Sequence, residues 1–391
     1  MYQADIAIVG AGMVGLALAR SLKDAELSVI LLDTTPIAKP LSEEPELRVS
    51  AINAANKQAL ENLGVWEHLA EERLSAYTEM QVWDQDSFGR IQFNCQEMGT
   101  PELGHIIENQ SLVNALHHQV SQQQNVRLLP STHISKVLAG QSETMLMLDN
   151  DEVVSCRLLV GADGANSAIR KYANFPLTFK DYGHTAIVAT IRTAKPHGKI
   201  ARQVFTPTGP LALLPLSDPH LCSIVWSQNS QHADSLLALN NADFAKALQV
   251  AIEGDVGDIV VESARMHFPL TMRYARQWLS DGLVIIGDAA HTIHPLAGQG
   301  ANLGLQDAFA LAERLQQLAA EHAAFYQARQ LRPFERARKS EAVRMIAAME
   351  SFKQLFGGSH PLKKFIRGVG MCTADAIPAI KQRFITQAMG W

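Results

Sequence analysis

Cysteine is scarce: the 391 residues hold four, Cys95, Cys156, Cys222 and Cys372, none spaced as Cys-x-x-Cys. That excludes a disulfide framework and a cysteine-based zinc site and fits a reducing compartment. His-Glu-x-x-His does not occur, and the one Glu-x-x-His, Glu102 to His105, lies among Pro and Gly. The paired motifs of a di-iron helical bundle are therefore missing. Basic charge is not in excess; the net charge is -5, which leaves no footprint for nucleic acid. No run approaches the ~18 consecutive apolar residues of a membrane span. The start, Met1-Tyr2-Gln3-Ala4-Asp5, lacks the basic region of a secretory signal. The expectation is a cytoplasmic protein.

What is present is a globular composition, 47% apolar, over a length that at roughly 100–200 residues per domain predicts two or three domains. Charge is uneven. From Lys353 onward stand Lys353, Lys363, Lys364, Arg367, Lys381 and Arg383 against the single acid Asp375. Such a segment reads either as a helical cap with its lysines in water or as a docking surface for anionic lipid or a partner protein.

Residues 5–9 form a short apolar run ending at Gly10, 13–23 have helical spacing, and 28–32 are apolar again and end at Asp33. This predicts a strand–helix–strand unit with buried parallel strands. Residues 34–48 read as a loop, 53–63 and 110–121 as helices. The middle predicts strands at 79–84, 144–149, 153–160, 184–193, 201–206, 210–216 and 220–227, interrupted by a helix over 234–252. Strand 282–286 resembles the first one, and helices over 303–318 and 322–351 follow. The order predicts a cofactor domain in three pieces, 1–75, 101–180 and 276–350. A strand-rich substrate domain is contributed by 76–100 and 181–275, and 351–391 is a basic helical segment.

Gly10-Ala11-Gly12-Met13-Val14-Gly15 falls between the first strand and the first helix. Gly10 permits the tight turn, Gly12 lets a pyrophosphate approach the backbone, and Gly15 lets helix and strand pack closely. The helix start offers N–H groups and a positive dipole end to phosphate. Asp33, closing the second strand, is placed to accept bonds from a ribose. These residues alone do not separate FAD from NAD. A second segment, Gly161-Ala162-Asp163-Gly164 followed by Arg170, leaves an apolar run and reads equally as a cofactor-facing turn or an ordinary Asp-Gly turn. A third, Gly287-Asp288 through Pro295 to Gly298-Gln299-Gly300-Ala301-Asn302, aims a carboxylate from a strand end and then opens a helix with little side chain. That suits a polyol and a flat flavin ring whose negative charge the helix dipole favours.

In that order and at those separations the three segments resemble the fingerprints of the single-component (class A) flavoprotein aromatic hydroxylases, over nearly the whole chain. Within them the sequence is similar to the ubiquinone-biosynthesis (UbiH/UbiF/UbiI) hydroxylases. Leu177–Phe205, Leu214–Trp226 and Phe352–Gly390 look most like the 2-polyprenylphenol hydroxylase type. The resemblance implies an α/β fold: an FAD-binding Rossmann-like domain (GR2-type, para-hydroxybenzoate-hydroxylase-like) with an inserted β-sheet substrate domain and helices after it. It implies that FAD is bound by Gly10, Gly12, Gly15, Asp33, Arg48, Asp163, Asp288, Pro295, Gly298, Gln299, Gly300, Ala301 and Asn302. Asn109 stands where many relatives carry an arginine; an FAD contact is expected there too. NAD(P)H and O2 would be co-substrates, and ring hydroxylation would proceed through a flavin C4a-hydroperoxide. A second glycine motif for nicotinamide is missing, because Gly368-Val369-Gly370 lacks the third glycine and a preceding strand.

Phe205, Leu211, Leu213, Pro215 and Trp226 on the middle strands are candidates to line an apolar substrate pocket, with ordinary core as the alternative. His184, His291 and His294 are candidates to assist the phenol, with structural roles as the alternative; no catalytic acid or base is assigned, and no metal. The expected partners are a polyprenylated phenol, other ubiquinone-biosynthesis proteins and a membrane surface met through 353–391. The sequence leaves open whether the chain forms a homo-oligomer. The same scaffold also serves flavin halogenases, whose Trp-x-Trp-x-Ile-Pro is absent, isoprenoid reductases, and a non-catalytic flavin-binding subunit of a biosynthetic complex.

Overall fold

The computed structural model describes residues 1–140, 143–293, 299–356, 361–377, 381, 382, 386, 389 and 390. Pro295, Gly298 and His294 lie outside the described residues.

The first strand, Tyr2–Val9, is apolar because it runs through the middle of a sheet covered on both faces; Ile6, Ala7 and Ile8 have no exposure. Its sheet runs Leu279–Ser280, Leu283–Ile285, Val153–Gly161, Tyr2–Val9, Val29–Leu32, Val126–Leu129, with Thr144–Leu148 and Ile134–Ala139 attached through Val153–Gly161. The central pairs are parallel, with Ile8 opposite Val160 and Leu31, and Val160 opposite Val284. Parallel pairing brings the carboxyl ends of three strands to one level, so Gly10, Ala162 and Ile286 leave the sheet side by side. One face is covered by helices Met13–Ser21, Asn109–Ser121 and Gln299–Ala320 through Leu16, Leu18, Leu112, Leu116, Leu311 and Leu315. Each such side chain removed from water contributes about 1.5–3 kcal/mol. The other face packs around the fully buried Trp278.

A second sheet runs His291–Thr292, Met266–Ala275, Leu177–Thr193, Leu221–Asn229, Gly209–Pro215, Ile200–Thr206, Glu79–Asp84, Arg90–Asn94. Strand 184–193 of the sequence reading begins earlier, at Leu177, because a register shift between Asp181 and His184 lets the chain carry on pairing across a bulge. The single helix expected over 234–252 is two, Ser230–Leu237 and Asn241–Ala251. Each starts at an asparagine, Asn229 or Asn240, whose side chain accepts from the N–H three residues on. A three-stranded sheet, Val49–Asn53, Gly104–Glu108 and Ser75–Tyr77, sits between the two larger ones.

Among the described side chains past 353, three basic residues pair within the fold; Arg383 lies outside the described residues. Arg367 pairs with Asp84 at 3.0 Å, Lys364 with Asp86 at 2.7 Å, and Lys381 with Glu97 at 3.0 Å and Asp375 at 3.2 Å. Helix Pro361–Ala376 thereby covers the hairpin that ends the second sheet, where an open edge would invite pairing with another chain. Among the described residues no helix is long and apolar enough to cross a membrane. The four cysteines are free, and burial pushes the Cys156 and Cys222 thiols up to about 12.

Candidate active site

The three sequence segments meet where the parallel strands end. Gly10 has φ +105°, and a Cβ there would lie 2.3 Å from the carbonyl oxygen of Ala162, so the first and second segments touch only because residue 10 has no side chain. A Cβ on Gly15 would lie 1.9 Å from the carbonyl oxygen of Gly10. Gly12 differs, because a Cβ there would meet no protein atom within 4 Å. No side chain caps the helix that Gly12 begins. An open backbone beneath an uncapped helix start is a cradle shaped for a phosphate.

Asp33 does part of its work inside the protein. Its Oδ2 accepts from the N–H of Ala11 at 2.7 Å, which fixes the glycine turn, and Oδ1 accepts from the N–H and hydroxyl of Thr35 at 2.9 and 3.0 Å. A carboxylate has about four acceptor positions, so one remains for a ribose hydroxyl.

Asp163 likewise accepts through Oδ2 from the N–H groups of Ala168 and Ile169, at 2.7 and 3.2 Å, while its Oδ1 is buried without a hydrogen-bond partner. Arg170 locks this turn to the third segment. Its Nη1 donates to the carbonyl of Ala289 at 2.7 Å and its Nη2 to that of Ala165 at 2.8 Å. Arg273, which the sequence did not single out, adds a bond to the Ala165 carbonyl at 2.8 Å.

Asp288 is open to solvent yet crowded by protein on most sides, as a group on the floor of a cleft is. Desolvation raises its carboxyl above the ordinary aspartate value, against the opposing fields of His291, Arg273 and Arg48. Arg48 is exposed at the entry to strand Val49–Asn53. Asn109 accepts from the Ser50 hydroxyl at 2.7 Å, and its own N–H donates to the Arg48 carbonyl at 2.9 Å. It therefore orders the strand that carries Arg48.

Beneath Asp288 lies a fully buried network. Asp307 accepts from His291 Nε2 at 2.6 Å, from Arg338 Nε at 2.7 Å and from the Gly287 N–H at 3.1 Å. Burial alone would raise the Asp307 carboxyl, but the attraction and hydrogen bonds of His291 and Arg338 outweigh it and hold it below its ordinary value. His291, a candidate for the chemistry, is thereby a strut for the turn. His184 stands beside the bulge in strand Leu177–Thr193.

Gly300 opens to space, with no atom within 4 Å of a Cβ. Asn302 turns inward: its Nδ2 donates to the Ala51 carbonyl at 2.7 Å, and its Oδ1 accepts from the Asn53 N–H at 3.0 Å and Asn56 Nδ2 at 2.8 Å. Its side chain ties the helix Gln299–Ala320 to strand Val49–Asn53, so only the backbone is left for a ring.

Between Val49–Asn53 and the second sheet lies a cavity of about 20 Å³, lined by Ala51, Tyr77, Ile106, Ala201, Ala212 and Leu214 among others. Leu211, Leu213 and Trp226 are not in it. They point to the opposite face and pack with Trp83, Ile187 and Phe244 under helix Asn241–Ala251. Strand period accounts for the difference: neighbouring residues face opposite ways, so Ala212 and Leu214 line this cavity and Leu213 does not. Pro215 shares the parity of Leu213 and is buried. Phe205, also buried, has the parity of Ala201 and Gln203 in strand Ile200–Thr206. A wider groove of about 860 Å³ has Trp66, Leu69, Leu74, Pro196, Leu216 and Pro219 on its walls together with Glu67, Glu71, His105, His197 and Lys199. Ser75 and Ala76 of the groove precede Tyr77 of the cavity on one strand.

A family model described as an FAD binding domain matches residues 3–347. The chain belongs to this FAD-binding family. It is 32% identical over 387 residues to a 3-demethoxyubiquinol 3-hydroxylase of Escherichia coli (strain K12), covering 99% of this chain and 98% of the relative. It is 32% identical over 436 residues to a protein of Danio rerio named "Ubiquinone biosynthesis monooxygenase COQ6, mitochondrial", covering 98% of this chain and 89% of that one. The structure of p-nitrophenol 4-monooxygenase PnpA from Pseudomonas putida DLL-E4 superposes with a TM-score of 0.79 at 15% identity, over 100% of this chain and 99% of that one, and carries the fold alone. The protein is thus a class A FAD-dependent monooxygenase of the ubiquinone-biosynthesis hydroxylase family, with NAD(P)H and O2 as co-substrates. The residues present fit FAD: the open backbone at Gly12, the unpartnered Oδ1 of Asp163, and Asp288 on the cleft floor.

Proposed function

We propose that this protein hydroxylates the aromatic ring of a 2-polyprenylphenol-type intermediate of ubiquinone biosynthesis. The observation that carries the reading is the groove of about 860 Å³ whose walls hold Trp66, Leu69, Leu74, Pro196, Leu216 and Pro219 among the polar Glu67, Glu71, His105, His197 and Lys199, in a chain whose near-full-length relatives include a 3-demethoxyubiquinol 3-hydroxylase and a ubiquinone biosynthesis monooxygenase. The cavity side takes the ring and the groove takes the prenyl chain, where Trp66, Leu69, Leu74 and Leu216 replace water around it.

Bound FAD, reduced by NAD(P)H, supplies the activation of O2 from which one oxygen atom reaches the ring. The chain's own residues bind and orient. The backbone at Gly12 and the helix start behind it take the pyrophosphate, and Asp33 takes the ribose of the ADP half. Asp163 would use its spare oxygen toward the cofactor, Asp288 would hold the ribityl chain, and the backbone from Gly300 to Asn302 would hold the flavin ring. Arg48 and Arg273 set a positive field beside Asp288. The apolar lining of the cavity, Ala51, Ile106, Ala201 and Leu214, keeps water from the ring.

The test is a panel: a short-chain 2-prenylphenol, the same phenol without its chain, and a prenylated demethoxyquinol, each given to FAD-loaded enzyme with NADPH. The prenylphenol should give a ring-hydroxylated product with a KM at least about tenfold below that of the bare phenol, each tenfold being worth about 1.4 kcal/mol. Leu74→Gln should raise KM for the prenylated compound alone. Equal use of bare and prenylated phenol would refute the groove assignment, and turnover of the demethoxyquinol alone would move the substrate to that quinol.

A further inference from the structure

Two polar side chains stand on the wall of the small cavity, among the apolar Ala51, Met80, Ile106 and Leu214: Tyr77 and Gln203. Tyr77 is 5% exposed and Gln203 8%. Buried polar groups are almost always hydrogen-bonded within the protein, yet neither the Tyr77 hydroxyl nor the Gln203 amide has a partner among the described residues. The third polar residue of the wall, Arg202, is committed elsewhere. Its Nε donates to Asp255 at 2.9 Å and its Nη1 to the His197 carbonyl at 3.0 Å.

Local structure explains both placements. Gln203 pairs with Val82 and Ala212 and shares its strand face with Ala201; Ala201 and Ala212 are wall residues too. Tyr77 pairs with Gly104, where a Cβ would lie 2.7 Å from the Tyr77 hydroxyl oxygen. The phenol ring thus lies where residue 104 has no side chain, on the strand face that carries Ile106. The flavin side is one strand away, because Ala51 of the wall accepts through its carbonyl from Asn302 on helix Gln299–Ala320. The cavity, about 20 Å³, has room for one water molecule and not for an aromatic ring. What it fits is a single oxygen substituent of a ring lying against its mouth. Burial pushes the Tyr77 hydroxyl up to about 12, so at neutral pH it keeps its proton and can donate it to a hydrogen bond. An amide both donates and accepts. Together the two side chains offer what a ring hydroxyl requires, and an apolar substituent would leave both unpaired.

We infer that Tyr77 and Gln203 are specificity-determining residues of the hydroxylation: the cavity seats the oxygen substituent that the substrate ring already carries, with Tyr77 donating to that oxygen and Gln203 accepting its proton through Oε1. The inference rests on the placement of the ring at this cavity. Both residues bind and neither removes the proton. A ring held at its oxygen and at its prenyl chain has one orientation, so the seat also decides which ring carbon is presented for hydroxylation.

The experiment uses the full-length oxidised holoenzyme as wild type, Tyr77→Phe, Gln203→Met and the double variant. Each change keeps the size of the side chain and removes its hydrogen-bonding group; FAD content and the unfolding midpoint are recorded for each. Kd is read from the perturbation of flavin absorbance by a short-chain 2-prenylphenol and by the matching prenylbenzene, which lacks the hydroxyl. Wild type should prefer the phenol about a hundredfold or more, as a site built to hydrogen-bond a hydroxyl does. Each single variant should cut that preference about tenfold by weakening the phenol alone, and the double variant should bring it close to one. A purely structural pair would shift the unfolding midpoint and leave the preference untouched. An unchanged preference in either single variant that retains FAD, or wild type with no preference, would overturn the inference. Wild-type enzyme that hydroxylates no prenylphenol would overturn the functional reading and this inference with it, whereas hydroxylation with an unmoved preference would overturn this inference alone.

Discussion

Two glycines three residues apart should fail in opposite ways when given a methyl group. Gly15 faces protein: its Cβ would stand 1.9 Å from the Gly10 carbonyl oxygen, where about 3.3 Å is the closest comfortable approach. Helix Met13–Ser21 or the glycine turn must move by more than an ångström. Overpacking of that kind costs about 1–3 kcal/mol, against the ~5–15 kcal/mol that stabilises a typical domain. Gly12 faces nothing within 4 Å and has φ -72° and ψ -177°, which alanine adopts freely. Gly12→Ala should leave the apo-protein as stable as wild type, or more stable by about 0.4–1 kcal/mol through the lower entropy of its unfolded chain. Its methyl would occupy the space of the pyrophosphate, and FAD affinity should fall about a hundredfold, near 3 kcal/mol. Urea unfolding of the apo-proteins by circular dichroism gives the first quantity, and FAD titration by flavin fluorescence the second. The reasoning is refuted if Gly12→Ala binds FAD like wild type, or if it destabilises the apo-protein as much as Gly15→Ala.

Other consequences follow from the buried charges. Asp307→Asn removes the negative charge that pairs with Arg338 and turns one of the two oxygens that His291 and Arg338 bond to into an NH2 donor, and should cost about 3–5 kcal/mol in denaturant unfolding. Because its folded carboxyl titrates below the ordinary value, the stability it contributes is complete above about pH 4 and is lost as pH falls through the folded value; the variant should lack that acid-side loss. His105 is held neutral, with its imidazole lowered to about 4 chiefly by burial. Its contribution is therefore present above about pH 6.5 and disappears as pH falls toward 4, and His105→Gln should flatten the pH profile of the unfolding midpoint in that window. Arg170→Met cuts the ties to the Ala165 and Ala289 carbonyls and should weaken FAD binding about tenfold, at ~1.4 kcal/mol, with Arg170→Lys only partly restoring it, since one ammonium cannot reproduce the guanidinium fork. Arg367→Ala leaves Asp84 buried without its counter-charge and should expose the 361–376 helix to protease, whereas the double change Asp84→Leu with Arg367→Met should protect it again.

The parts of this molecule that could be read from sequence are those where backbone sterics leave one choice. Gly10, with its positive φ and its contact to Ala162, is such a case. So are the apolar runs that lead to Gly10, Gly161 and Gly287, which read as strands ending at the three glycine segments. What depended on a partner far along the chain was not legible. The run 210–216 is apolar on both faces, so nothing in it distinguishes Ala212 and Leu214, which line the cavity, from Leu213, which packs under a helix. Nothing near Asn302 in the sequence shows that its side-chain amide bonds to Ala51, Asn53 and Asn56, some 250 positions earlier. Asp307 and Arg273 carry no local signal at all. The basic segment left a helical cap and a docking surface both open; the acids that pair with Lys364, Arg367 and Lys381, namely Asp86, Asp84 and Glu97, lie some 280 positions earlier and give no local sign.

The most direct test of ring hydroxylation is mass spectrometry of a short-chain 2-prenylphenol turned over by the FAD-loaded enzyme with NADPH under 18O2. The account predicts one 18O atom in a new ring hydroxyl, with fragmentation locating it on the ring and leaving the prenyl chain unchanged. A product two hydrogens heavier in its chain and free of 18O, or oxidation of NADPH with no product other than peroxide for every phenol and quinol offered, would contradict it.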